Sequence, residues 1–159
     1  MRVTAILLIL LCLAALVGTG FLYMNSRLVI ESAGCIATDA VNEPETFERL
    51  RKEAMTETLA GTLFASPAEA TPENSLFYSY TLKIENRTFL KAEIIEISIT
   101  PMSGDYLQTG ETQAYDLAPG RSMNLSATIL SAKGGHNVRE ATVTWYFWGI
   151  PFQTRVTCK

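Results

Sequence analysis

The chain has 159 residues and a formal net charge of −3, with 48% hydrophobic and 18% charged residues. Basic and acidic residues are interspersed, and the chain lacks the cluster of Lys and Arg with interleaved aromatic residues that is typical of a nucleic-acid-binding surface. After an apolar amino-terminal segment about 130 residues remain, enough for one domain with a hydrophobic core. We therefore expect one folded domain and no nucleic-acid partner.

Residues 3–26 carry no charged side chain, and most of them are Leu, Ile, Ala or Val. Because a helix rises about 1.5 Å per residue, about 20 apolar residues cross the roughly 30 Å hydrocarbon core of a bilayer. Tyr23 falls where an interfacial aromatic residue belongs, and Arg27 supplies a polar stop. Residues 1–27 are therefore predicted to be a transmembrane signal-anchor in the cell membrane, and the lipid bilayer is its expected partner.

A cleaved signal peptide is the alternative interpretation. Gly18-Thr19-Gly20 offers small residues before Phe21, as a cleavage site does, but the apolar run continues through Met24. Arg2 and Arg27 flank the segment almost evenly, so charge barely decides its direction. The long carboxy-terminal part has the features of a translocated domain, which favours an extracytoplasmic location, either anchored or secreted.

Residues 28–75 are predicted to form a juxtamembrane segment. A Pro follows Glu43, and Phe47, Leu50 and Ala54 recur at helical spacing among charged residues, which predicts an amphipathic helix over about 43–59. A short strand is expected at 62–65, and residues 28–30 form either a short strand or the frayed end of the membrane helix. Residues 66–75 are polar and contain Pro, so they are predicted to be a linker.

From Leu76 onward the hydrophobic period changes to two, which indicates β-strands. Adjacent isoleucines interrupt the alternation in one strand, and a bulge near Ile94 reconciles its two faces. Turn signals recur every 8–15 residues without interleaved helices, which is typical of an antiparallel sandwich. The fold class is therefore mainly β, with about seven strands over residues 76–159. The expected strands lie near residues 76–84, 89–100, 113–117, 123–129, 141–147 and 152–158.

Three stretches carry a resemblance to a known family: Tyr80-Thr81-Leu82-Lys83-Ile84-Glu85-Asn86, Leu117-Ala118-Pro119-Gly120 and Val143-Thr144-Trp145-Tyr146-Phe147-Trp148-Gly149. They resemble immunoglobulin-like modules of bacterial envelope proteins, which often follow one amino-terminal membrane helix. The resemblance is generic and covers about residues 76–158. It implies adhesion, scaffolding or complex assembly at the cell surface, with another envelope protein or a surface polymer as partner and no catalytic residue.

The residue types needed for catalysis are sparse. His136 is the single histidine and follows two glycines, so a zinc set or a Ser–His–Asp triad has no support. Asp105, Glu111 and Asp116 match no calcium-loop spacing. We expect no catalytic residue, no cofactor and no metal, although an envelope hydrolase remains a third hypothesis.

Two cysteines lie outside the predicted anchor, Cys35 and Cys158. An even pair in an extracytoplasmic domain suggests a disulfide, and closing so long a loop stabilises a fold by up to about 4–5 kcal/mol. Two unpaired buried thiols are the alternative.

Three aromatic residues are the candidates for a binding surface: Tyr106, Tyr146 and Trp148. If Trp145 and Phe147 point inward, alternation places Tyr146 and Trp148 on the opposite face of their strand. Exposed aromatic side chains there could hold a protein or a glycan, and the alternative is that they cover the sheet or pack on the helix. The sequence thus favours a membrane-anchored, non-enzymatic binding or assembly protein, with a secreted binding protein for carbohydrate or protein as the alternative.

Overall fold

The computed structural model describes residues 2–25, 27–110 and 115–159. Over these ranges the chain forms an apolar helix, α1 (Arg2–Asn25), a second helix, α2 (Pro44–Met55), and nine strands in two antiparallel sheets. The predicted mainly β fold, with an apolar amino-terminal helix and one further helix before an antiparallel sandwich, is confirmed.

Five strands form the first sheet and four form the second. The first sheet has, in spatial order, β1 (Val29–Asp39), β3 (Ser75–Glu85), β7 (Ser122–Ala132), β5 (Asp105–Thr109) and β2 (Gly61–Leu63). The second has β6 (Tyr115–Leu117), β4 (Ala92–Ile99), β8 (Arg139–Phe147) and β9 (Ile150–Cys158).

The main core lies between the two sheets. Leu82 and Ile84 of β3 are fully buried there together with Val143 and Trp145 of β8. Each of these side chains alternates with a more exposed neighbour along its strand, as expected for a strand with one buried face. Burying a side chain of this size stabilises the fold by about 1.5–3 kcal/mol.

A second, smaller core lies beneath α2. Phe47 and Leu50 of the helix pack with Phe77, Leu107 and Leu130, which project from the outer face of the first sheet. The spacing of the apolar residues along the helix therefore predicts its buried face correctly, and the helix forms a third layer on the sandwich.

Helix α2 is shorter than the predicted range 43–59, because it ends at Met55. The Thr56 hydroxyl donates a hydrogen bond of 2.8 Å to the Lys52 carbonyl, and the Thr58 hydroxyl donates one to the Glu53 carbonyl. Hydroxyl groups that bond the last carbonyls of a helix compete with its continuation. Glu57 then adopts a φ of 57°, which is incompatible with a right-handed helix.

The predicted bulge near Ile94 is confirmed. Ile94 has a φ of 50°. The register of β4 shifts across this residue in both of its pairings, between Glu93 and Glu96 against β8 and between Ala92 and Ile95 against β6. The extra residue lets Ala92 and Ile95 both point into the core while Ile94 is exposed.

The sheets also contain strands before residue 76. The sequence suggested at most a short strand at 28–30, but β1 runs over 11 residues and pairs with β3 along its length. Strand β5 was not predicted either. In β5, Leu107 and its neighbour Gln108 are both buried, so alternation is absent. The Gln108 side chain accepts a hydrogen bond of 3.0 Å from the Ile99 amide and thereby links the sheets.

The edge strands β1 and β9 lie side by side. The Cys35 amide donates a hydrogen bond of 3.2 Å to the Lys159 carbonyl, and Leu28, just before β1, lines a cleft together with Phe152 of β9. We call the end of the sandwich where the chain leaves α1 the anchor end, and the opposite end, with Cys158, the distal end. The β8–β9 hairpin turn lies at the anchor end.

Candidate functional site at the anchor end of the sandwich

The β8–β9 hairpin exposes a large aromatic residue at its tip. Its two turn residues, Trp148 and Gly149, both have positive φ angles, 51° and 79°, and Phe147 pairs with Ile150 across the turn. This is the two-residue turn that matches the twist of a hairpin, and it favours Asn, Asp or Gly at both positions. Trp148 is 70% exposed, so it occupies a disfavoured backbone conformation without being buried.

Further apolar side chains are exposed near this tip. Ile150, next to the turn, is 53% exposed, and Ile94 lies in the bulge of the adjacent strand. Tyr146 is half-buried on the outer face of β8, opposite Glu93 of β4. Trp148, Ile150 and Ile94 are therefore exposed apolar side chains at the anchor end, and Tyr146 lies on the same hairpin as Trp148 and Ile150.

Of the three predicted binding residues, the structure brings Tyr146 and Trp148 onto the same hairpin. Tyr106 lies on β5 of the other sheet, where it packs against the small core beneath α2. Tyr106 is therefore remote from the hairpin in the fold. Ile94 and Ile150 were missed, because a bulge and a turn, rather than strand alternation, decide their exposure.

A cleft opens beside the hairpin, between the residues that follow α1 and the edge strand β9. It has a volume of about 570 Å³. Four apolar and four polar residues line it: Leu28, Trp145, Pro151, Phe152, and Arg27, Thr144, Gln153, Thr154. This volume lies in the range of small-molecule sites, about 300–1,000 Å³, but the lining is more polar than is usual for them.

Trp145 forms part of the cleft wall while being 1% exposed. Its ring stacks on Phe152, with ring centroids 6.1 Å apart and planes 16° apart. Its indole Nε1 is buried, and among the residues that the structure describes it has no hydrogen-bond acceptor. Buried Trp N–H groups usually find a partner, because leaving a buried donor unpaired costs about 1–3 kcal/mol.

The distal end holds a different, fully paired polar cluster. Arg139 and Asp105 form a buried two-pronged ion pair, with Nη2 of the Arg 2.8 Å from Oδ1 of the Asp. Nε of Arg139 also donates to the His136 carbonyl at 3.0 Å, and the guanidinium lies 5.7 Å from the Tyr78 ring centroid. The Tyr80 hydroxyl donates to the Asn137 carbonyl at 3.0 Å. These contacts hold the loop before β8, which is a structural role.

The two cysteines outside α1 lie near this cluster. Both belong to or pack against the main core, and both are free thiols in the structure. Burial raises the pKa of the Cys35 thiol above its usual range, and burial together with the proximity of Cys35 raises the pKa of the Cys158 thiol. The predicted disulfide joins residues whose strands are neighbours, and it stays a prediction.

The residues considered for metal binding do not converge. The Asp105 carboxylate is engaged by Arg139, whereas Asp116 pairs with Lys91 at 2.6 Å. Glu111 lies outside the described residues. His136 is exposed on its loop. In the described parts of the chain, no group of three or more His, Cys, Asp and Glu residues could hold a metal ion.

No model of a protein family and no curated protein matches the chain. Among solved structures, the FixG-related protein from Vibrio parahaemolyticus is 16% identical, with a TM-score of 0.34, and the match covers 80% of this chain and 96% of that one. The cupredoxin domain of amoB from Nitrosocaldus yellowstonii is 15% identical, with a TM-score of 0.37, and the match covers 83% and 86% of the two chains. Likenesses this distant carry no inference about what this chain does.

Proposed function

We propose that this chain is a single-pass membrane protein whose extracytoplasmic, immunoglobulin-like β-sandwich is a non-enzymatic binding or assembly module. Its partner is another envelope protein, which contacts the β8–β9 hairpin. The observation that carries the proposal is the exposed Trp148 in a backbone conformation that a bulky residue seldom adopts.

The backbone of Trp148 supports a role in recognition rather than in stability. A non-glycine residue in the left-handed region costs about 1–2 kcal/mol, and Gly or Asn at this turn position would avoid most of it. Burial of the side chain within the domain offsets little of that cost, because Trp148 is 70% exposed. Trp is enriched among the residues that dominate protein interfaces. Backbone strain combined with an exposed aromatic ring therefore favours a partner that covers it.

Helix α1 supports the membrane location. Val3–Phe21 is long and apolar enough to cross a membrane, and none of it is buried by the rest of the protein. A signal sequence near the amino terminus passes the same criteria, which is why a secreted binding protein is the alternative. A lipid environment would cover the apolar side chains of an uncleaved helix.

A site-specific photo-crosslinker tests the partner. The full-length chain carries the photoreactive amino acid at position 148 in intact cells, and a control chain carries it at Thr157, which is exposed on β9 near the distal end. We expect one discrete protein adduct from position 148 and none from position 157. The corresponding complex should be lost from a native gel when Trp148→Gly is introduced.

Four outcomes would contradict the proposal. Equal adducts from both positions, or none from either, would show that the hairpin is not a specific contact. An adduct with polysaccharide would favour a surface polymer over a protein partner. Recovery of the chain in the soluble fraction, starting at Phe21, would favour the secreted alternative.

A further inference from the structure

Strand β9 lies at the edge of its sheet, and its backbone has a defined outward side. Phe147 and Ile150 close the two-residue turn, and the pair that closes such a turn is hydrogen-bonded. The register with β8 then continues without a shift, so hydrogen-bonded pairs alternate with pairs that do not bond to each other. The N–H and C=O groups of the odd-numbered residues of β9, from Pro151 to Thr157, therefore point away from β8.

Two observations agree with this direction. The Lys159 carbonyl, at the next odd position, accepts the hydrogen bond of 3.2 Å from the Cys35 amide of β1. Pro151 stands at an odd position, where the missing N–H takes no bond from the β8–β9 pairing. In the described part of the chain, the Cys35–Lys159 bond is the one backbone hydrogen bond between β1 and β9. The outward groups of Gln153 and Arg155 therefore have no backbone partner there.

The cleft lies along this outward edge. Residues 27–28 line it from one side and residues 151–154 from the other, whereas Cys35 meets Lys159 further along the same two strands. The seam between β1 and β9 is thus closed near the distal end and open at the anchor end. Because strands lie about 4.8 Å apart, rise about 3.3 Å per residue and fill a layer about 10 Å thick, one strand residue takes up roughly 160 Å³. The cleft volume of about 570 Å³ therefore holds about three or four residues of an extended chain.

The free edge determines which ligand chemistry the cleft suits. Extended segments recognise an exposed sheet edge through main-chain hydrogen bonds and thereby add a strand to the sheet. The polar side of the lining, with Thr144, Gln153 and Thr154, is compatible with a backbone ligand. The gap extends along four residues of β9, and residues 27–28 stand along its other side. A strand that already belongs to the sheet of a second copy would collide with them, so a free segment fits better than a second sandwich.

We propose that the cleft binds an extended segment of the envelope protein that contacts the hairpin. This segment adds a strand to β9 by bonding the N–H and C=O groups of Gln153 and the carbonyl of Pro151. The proposal rests on the proposed function and specifies how its partner is held. Backbone hydrogen bonds supply the pairing, and the exposed Trp148 at the end of the same hairpin supplies an aromatic contact beside it.

Removal of one outward N–H tests the pairing. Gln153→Pro deletes an N–H that does not bond β8, and Gln153→Ala deletes only the side chain. Thr157→Pro is the matched control, because it deletes an outward N–H outside the cleft, near the closed part of the seam. Each full-length variant carries the photoreactive amino acid at position 148 in intact cells, and circular dichroism checks its fold. We expect Gln153→Pro to lower the yield of the protein adduct at least tenfold, and the other two variants to change it less than twofold.

Hydrogen exchange provides a measurement without any Pro substitution. The protein adduct formed from position 148 is purified, and its amide exchange is compared with that of the chain before irradiation. Mass spectrometry with electron-transfer fragmentation resolves single amides. We expect the Gln153 amide to exchange at least tenfold more slowly in the adduct, because it donates to the added strand, and the Thr157 amide to exchange at an unchanged rate.

The outcomes separate this inference from the proposed function. A protein adduct from position 148 that persists in Gln153→Pro would overturn the added strand and leave the proposed function standing. If both Pro variants unfold, an unprotected Gln153 amide in the adduct would overturn the added strand by itself. An adduct between two copies of this chain would replace the free segment by a second copy and would also overturn it. Absence of any adduct from position 148 would contradict the proposed function and this inference together.

Discussion

Replacing the two Trp residues separately tests the account of the anchor end most sharply. Trp145 is 1% exposed, so nearly all of its surface, about 250 Å², is buried, worth at most about 6 kcal/mol. Two effects reduce this value. The Ala side chain at position 145 is still buried, and removal of the unpaired Nε1–H also removes its desolvation penalty of about 1–3 kcal/mol. We therefore expect Trp145→Ala to lower the free energy of unfolding by about 3–5 kcal/mol.

Trp148→Ala should have a much smaller effect. With 70% exposure it buries roughly 75 Å², so its removal should cost at most about 2 kcal/mol. Because the φ of 51° persists in the variant, Trp148→Gly should be more stable than Trp148→Ala by about 1 kcal/mol, despite the flexibility of Gly.

Thermal unfolding of the full-length variants in a mild detergent, followed by circular dichroism, measures these differences. Trp145→Ala should lower the melting temperature by roughly 10–20 °C and Trp148→Ala by less than about 6 °C. If Trp148→Ala were the more damaging of the two, the assignment of inward and outward faces in β8 would be wrong. If Ala were as stable as Gly at position 148, the argument from backbone strain would fail.

Four further tests address other parts of the fold. A Cβ at Gly61 would lie 2.1 Å from the Gln108 carbonyl oxygen, so Gly61→Ala should clearly lower the melting temperature. Gly34→Ala is the control and should not lower it, because no atom lies within 4 Å of a Cβ at Gly34. Equal effects of the two substitutions would refute the packing of β2 on β5. Asp105→Asn leaves the buried Arg139 guanidinium without its counter-charge, so it should lower the free energy of unfolding, measured by denaturant titration, by about 3–5 kcal/mol. A decrease below about 1 kcal/mol would show that the ion pair is solvated. Because burial raises the pKa of the Cys35 and Cys158 thiols, less thiolate is present at pH 8. Iodoacetamide should therefore modify these two residues at least tenfold more slowly in the folded, reduced protein than in the unfolded protein, and equal rates would contradict the raised pKa values. An intact mass about two hydrogens lower before reduction would confirm the predicted disulfide, and an unchanged mass would refute it.

Strands with one buried face and large apolar residues could be predicted from the sequence. In β3 and β8 the alternation of residues such as Leu82, Ile84 and Val143 predicts both the strand and its inner face, and the isoleucines of β4 reveal the bulge. Local pattern and tertiary burial agree in these strands, because each has one face in the core between the sheets.

The strands that were missed lack that agreement. Strand β1 carries Ser32, Ala33 and Gly34, whose small side chains leave no apolar period to detect. Strand β5 is buried on both faces, by the opposite sheet on one side and by α2 on the other, so Leu107 and Gln108 are adjacent and both buried. Only the tertiary arrangement supplies the pairing that makes these segments strands.

The candidate site was partly predictable. Alternation correctly placed Trp145 and Phe147 in the core, but Trp148 is exposed because it lies in the turn, not because it faces outward on the strand. The cleft depends on residues 27–28 meeting β9, which is a contact across about 120 residues of sequence that no local pattern encodes.

The central claim is that α1 is retained as a membrane anchor with the sandwich on the far side. The most direct measurement is the intact mass of the chain extracted from native membranes after alkaline carbonate washing, with and without prior treatment of whole cells with protease. The account predicts a membrane-retained chain with its amino-terminal segment present, and loss of the sandwich when protease reaches it from outside. A soluble chain that starts near Phe21, or a sandwich protected from external protease once the outer permeability barrier is opened, would contradict it.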